Sequence, residues 1–301
     1  ADRNVFIGYY AGFGATTGCD NVVIGGLSNY GTLTGSYNIA LGRQANEQTT
    51  SGCHNIAIGH MAICKVTTGT GNVAIGRHAL QCLPVACIGN VAIGCMVGKA
   101  GAGSYNVFFG QYSGGLGTPG TCNTFIGYNS GLRNSGYRNI AIGKGAMAGT
   151  NIGCTSNEDN IAIGGCSLAA IQNATHNIAI GCASACSLTT GSGNLFLGYC
   201  SGNNVTTGSS NVVIGCNVDP ASATGNCQFI IGISSQHWIC GDSNFNIYDK
   251  DGNQLNGASS GGFSQDDQGN LVAGTGAGAA KDADTCFNIM IGCNSGAALN
   301  E

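Results

Sequence analysis

The sequence predicts an all-β protein: a parallel β-solenoid, or β-roll, of about sixteen rungs of 16–18 residues, forming an elongated rod with almost no helix. Three observations predict it. A five-residue phrase, N-Φ-x-Φ-G with Φ apolar, returns at near-constant spacing along the chain. Its apolar positions alternate as a strand requires. Gly, at 53 of 301 residues, interrupts every stretch that could otherwise form a helix.

Aligned on its Asn, the phrase falls at Asn4, Asn21, Asn38, Asn55, Asn72, Asn90, Asn106, Asn123, Asn139, Asn160, Asn177, Asn194 and Asn211. Most steps are 16 to 18 residues, and the long one separates Asn139 from Asn160, around CTSNED. Gln228 takes the Asn place in CQFIIG, and NLVAG at 270 and NIMIG at 288, beginning with Asn288, supply the last copies. The chain therefore divides into regular solenoid repeats over 1–232, an irregular excursion over 233–269 and terminal rungs over 270–301. A 17-residue unit is too short to fold alone, but stacked copies continue a parallel ladder and bury one core between them. At about 4.8 Å per rung the rod is roughly 75 Å long. In such a stack the Asn column can bond to its own or the next rung's backbone, and amides can pair along the axis.

Alternation within the strand sets two faces. Val73 and Ile75, with Ile58 and Ile180 in other rungs, are expected to fill the rod. The middle position is then outward, and it reads Phe6, Ala40, Ala57, Ala74, Phe108, Phe125 and Phe196, never charged. An apolar outer face implies a covering partner, most simply two further copies in a closed homotrimer. A two-sheet solenoid with a lightly covered face is the alternative.

Composition narrows the function classes. A net charge of −4 with ten Lys plus Arg and no basic run gives no footprint for nucleic acid. No apolar stretch approaches the roughly 18 residues of a spanning helix, so membrane insertion is not expected. The chain begins at Ala1 without a charged leader, which fits a processed mature protein or a fragment. Seventeen cysteines argue for an oxidising, extracellular setting, with Cys64–Cys82, Cys166–Cys182 and Cys200–Cys216 as inter-rung disulfides. The alternative is that they are small buried thiols. His54, His60, His78, His176 and His237 are scattered, so neither a zinc site nor a thiol hydrolase is expected; no enzyme activity and no cofactor follow.

Two glycan sequons, at Asn173 and Asn204, fall in the spans between strands. The excursion holds the single Trp, Trp238, and then FNIYDKDGNQLNG, whose Asp251-Gly252 reads as a hairpin turn. Trp238, Tyr248, Asp249 and Asp251 are the candidate contact site for a receptor, a glycan or the next subunit. Asp249, Asp251 and Asn253 loosely match a calcium loop that lacks its distal Glu. Recurrent Thr pairs raise ice binding, but Pro84-Val85, Thr118-Pro119 and Asn173 break that column.

The NxAIG phrase resembles the left-handed β-roll heads of trimeric autotransporter adhesins. The longer unit, TTGSGNLFLGYCSG at 189–202, is similar to the shaft repeats of bacteriophage tail fibres. The resemblance spans about 230 residues. It implies a trimeric, extracellular, elongated module with Asn72 at the turn, Val73 and Ile75 in an inner column and Gly76 releasing the chain. The function expected is a structural subunit of an extracellular fibre or filament, with a receptor- or glycan-binding adhesin as the alternative.

Overall fold

The computed structural model describes residues 2–255, apart from 66, 83–85, 151–156, 243 and 245, and beyond them the strands Ser264–Gln265, Leu271–Ala273 and Ile289–Ile291. Each Asn of the repeat is followed by a short strand: Val5–Ile7, Val22–Ile24, Ile39–Leu41, Ile56–Ile58, Val73–Ile75 and so on to Val212–Cys216 and Phe229–Ile233. These join one sixteen-stranded sheet in which all but the last two strands run parallel. Register is in phase with the repeat, so Ile56, Ala57 and Ile58 stand on Val73, Ala74 and Ile75. The described residues contain no α-helix. The protein is an all-β parallel solenoid. Its continuous parallel ladder is shorter than sixteen rungs, because the copies at 271–273 and 289–291 pair with each other in a separate sheet.

The Asn column decides which way the strand faces. Asn72 is fully buried, and its backbone N–H and its Nδ2 both donate to Asn55 Oδ1, at 3.0 and 3.1 Å. Its Nδ2 also donates to the Cys87 carbonyl at 2.9 Å, while its Oδ1 accepts from the N–H and Nδ2 of Asn90. The paired bonds to the preceding Oδ1 recur from Asn21 to Asn194, and the backbone bond continues at Asn211 and at the Gln228 N–H, at 2.9 and 2.8 Å. They cross the 21-residue step unchanged, Asn160 donating to Asn139 Oδ1 at 3.1 Å.

With Asn turned inward, the strand's period of two turns the middle residue inward too. Ala40, Ala57, Ala74, Phe108, Phe125 and Phe196 are each 0% exposed. Val73, Ile75, Ile58 and Ile180 are half-buried on the other face. The expected inside and outside are therefore exchanged: the residues assigned to an oligomer interface form the core, and those assigned to the core face outward. Phe6 is partly exposed, at 38%, on the first rung.

A small residue fits the centre because one turn encloses little space, and a large one is matched across it. In the Phe rungs a Cβ on Gly12, Gly131 or Gly202 would run into the ring of Phe6, Phe125 or Phe196. In the rungs centred on Ala57, Ala74, Ala141 and Ala162, the equivalent residue is Ile63, Leu80, Met147 or Leu168, each fully buried. The strand's closing Gly answers a different demand. Gly42 has φ +135°, and a Cβ there would stand 2.8 Å from the Gly59 carbonyl, so neither the conformation nor the space admits a side chain.

Two outcomes are expected. Asn72→Ala leaves two donors on Asn90 without partners and leaves the Cys87 carbonyl with the Thr70 N–H alone, for a loss of about 3 kcal/mol. Hydrogen exchange should locate the loss at the Val73 and Val91 amides. Ala74→Phe should cost about 2 kcal/mol by overpacking. Adding Leu80→Gly should recover at least about half of that in chemical denaturation, because the pair then reproduces a Phe rung.

Candidate interaction surface

The residues either side of each strand centre form two outward columns, one through Val73 and one through Ile75. From Val5 to Ile231 they hold Val, Ile, Leu and Phe, with Thr124 the one polar member and no charge. Several stand well exposed: Ile7 at 56%, Phe109 at 53% and Leu197 at 41%. Backbone groups beneath them are consumed by the ladder, so this face offers side chains alone.

Polar residues border the stripe. The residue before each Asn is left-handed, as at Arg3 (φ 57°), Asp20 (φ 58°) and His54 (φ 59°), and these side chains stack into exposed pairs. Arg3 grips Asp20 through two bonds of 2.6 and 2.8 Å. Arg138 grips Asp159 at 2.7 and 2.8 Å and reaches Glu158 at 3.1 Å. The guanidinium in each case holds its Asp carboxyl below the usual range. Tyr37 and His54 lie stacked with centroids 4.9 Å apart. Two positions before the Asn, a hydroxyl or thiol accepts the neighbouring rung's N–H: Cys19 N–H donates to Ser36 Oγ at 3.0 Å and Ser36 N–H to Cys53 Sγ at 3.4 Å. Thr hydroxyls also bond across rungs, but as donors: Thr50 Oγ1 donates to the Thr67 carbonyl at 3.0 Å and Thr189 Oγ1 to the Thr206 carbonyl at 2.9 Å.

The excursion lies along the end of the ladder. Gln236–Gly241 pairs antiparallel with Phe229–Ile233 and is followed by Ile247–Asp249, also antiparallel. Asp251-Gly252 is a tight turn, with Gly252 N–H donating to the Asp249 carbonyl at 3.1 Å. The four candidate contact residues do not converge. Trp238 (53% exposed) and Asp249 line a cavity of about 510 Å³ with Gln236, His237 and Lys250. Tyr248 lines a second, of about 520 Å³, with Gln228 and Asp242. Asp251 lines neither and pairs with Lys250 at 2.6 Å. Asp249 Oδ1 accepts the N–H groups of Asp251 and Asn253 at 2.9 and 2.8 Å, and its Oδ2 accepts Asn253 Nδ2 at 2.9 Å. These bonds, led by the Asn253 amide, lower its pKa. The spacing that resembled a calcium loop thus builds a turn, and no cluster of three metal-ligating side chains occurs among the described residues.

Cys64, Cys82, Cys166, Cys182, Cys200 and Cys216 are all free thiols, which corrects the expected disulfides. Register is the reason. Ala183 N–H donates to the Gly165 carbonyl, which sets Cys166 opposite Ala183 and Cys182 opposite Gly165. Lys65 N–H donates to the Gln81 carbonyl, which sets Cys82 opposite Lys65 and not opposite Cys64. Each expected pair is therefore offset by one column, and no backbone hydrogen bond joins its two residues. Asn173 and Asn204 are exposed, and Asn204 Nδ2 donates to the Pro220 carbonyl at 3.0 Å. Asn288 lies outside the described residues.

No protein-family model, curated protein or solved structure matches the chain. Among the described residues no helix is long and apolar enough to cross a membrane.

One thiol is chemically set apart. Cys64 Sγ donates to Glu47 Oε2 at 3.0 Å, and burial first, then the Glu47 carboxylate, push its pKa up to about 12. At pH 8 it stays protonated. Brief iodoacetamide treatment followed by peptide mapping should label exposed Cys182 and Cys216 at least tenfold more than Cys64.

Proposed function

We propose that this chain is a structural subunit of an extracellular fibre or filament, a stiff rod that assembles with copies of itself. One observation carries the reading: an uncharged, two-column apolar stripe follows the strands from Val5 to Ile231 on the outside of a solenoid whose interior is already filled. Such a face is poorly suited to water.

Pitch argues for the partner. The stripe is a row of like side chains about 4.8 Å apart, and a second copy offers a surface with the same spacing for interdigitation. Polar pairs such as Arg3–Asp20 and Arg138–Asp159 border the stripe and give the arrangement an apolar centre with a polar rim. Closure around a threefold axis buries every stripe in a homotrimer; rods joined end to end extend this into a filament. No catalytic step is assigned. Extracellular placement rests on the exposed sequon asparagines, Asn173 and Asn204, which a secretory route would glycosylate.

Light scattering on the purified chain should give the mass of an oligomer, a trimer in the simplest case. Ile58→Lys with Ile75→Lys sets two ammonium groups side by side on the stripe, and should shift the mass to that of one chain while the far-ultraviolet β signal persists. A wild-type protein that stays monomeric at micromolar concentration would sink the reading.

A further inference from the structure

Four successive rungs carry a cysteine one or two residues past the repeat Gly: Cys166, Cys182, Cys200 and Cys216, all exposed except half-buried Cys200. They alternate between two columns. Cys182, Tyr199 and Cys216 follow the strand glycine directly; Cys166, Ala183 and Cys200 come one residue later. Members of one column are thus two rungs apart, about 9.6 Å, beyond the reach of a disulfide. Diagonal neighbours are closer, and one pair is joined through the backbone: Cys200 N–H donates to the Cys182 carbonyl at 2.9 Å. That bond holds their Cα atoms about 5–6 Å apart, inside the bridging range.

We infer that Cys182 and Cys200 are the reactive pair of this thiol ladder, converted by a small-molecule disulfide into a bond between rungs. With oxidised glutathione, the Cys182 thiolate attacks one sulfur, forming a mixed disulfide and releasing one glutathione thiolate. The Cys200 thiolate then attacks the Cys182 sulfur and expels the second. The protein gives up two protons and two electrons, and one oxidised glutathione becomes two reduced molecules. Because Cys182 is exposed and Cys200 half-buried outside the core, the step needs no opening of the core, and it is independent of how rods associate.

The test uses the full-length protein with excess oxidised glutathione at pH 8, acid quenching, digestion without reduction and mass spectrometry. The expected product is a Cys182–Cys200 cross-linked peptide two hydrogens lighter than its parts. The single variants C182S and C200S should retain glutathione on the remaining partner, with β signal unchanged. Stable glutathione on Cys182 in the wild type, bridges Cys166–Cys182 or Cys200–Cys216 in its place, or no reaction at either thiol would each overturn the inference.

Discussion

The rest of the structure depends on a bifurcated bond: one Asn Oδ1 accepting both the backbone N–H and the side-chain amide of the Asn in the adjacent rung, as between Asn55 and Asn72. In a dry interior such a group is costly to leave unpaired and strong when paired, so the column resists substitution and fixes rung spacing. It also fixes parity. Once the amide points inward, the strand has no freedom left: the residue two positions on is core, and those between are surface. The insertion before Asn160 shows how firmly this holds, since four extra residues leave the ladder bonds at 3.1 Å.

Parity then dictates composition. A turn of about seventeen residues encloses so little volume that its centre is filled by one large side chain, either from the strand (Phe125 over Gly131) or from the return segment (Leu80 beside Ala74). Which partner is large varies between rungs, and neighbours share the space where both are small. At Gly98, beside Ala92, a Cβ would meet Leu80 at 2.8 Å and Phe108 at 3.1 Å from the rungs on either side. Close packing here is a relation between adjacent rungs, and their stability is coupled through it.

Much of this was legible in the sequence, for identifiable reasons. Repeat spacing gave the solenoid, the strand positions and the Asn stack, because translational symmetry forces like onto like. Facing was not legible by counting apolar residues: Val73 and Ile75 outnumber Ala74, and bulk suggested the wrong side. The missing signal was the Asn itself, whose parity with Ala74 becomes decisive only if the amide is inside. Cysteine pairing failed for a related reason: Cys166 and Cys182 differ by 16 residues where the local step is 17, and no backbone hydrogen bond ties that diagonal together. The contact site was legible as a cluster in sequence and not in space, because Trp238 and Tyr248 lie on two different antiparallel strands and line separate cavities.

A ladder built from identical rungs has no internal reason to stop. Each added strand offers the next the same donors, acceptors and amide column, so an end must be made by changing the pattern. The chain does this where Gln228 replaces Asn. Its longer side chain reaches back to the Ser222 and Gly225 carbonyls, at 2.9 and 3.1 Å. The next strand, Gln236–Gly241, then runs antiparallel, with a register shift at Ile231/Gly232. Reversal removes the in-phase edge that a further parallel rung would need. The stripe on the sheet face has no comparable device: apolar outward residues persist through Val212, Ile214, Phe229 and Ile231, to the last parallel rung of the ladder. Growth along the axis is thus interrupted by the chain itself, while the face stays open along the length of the rod.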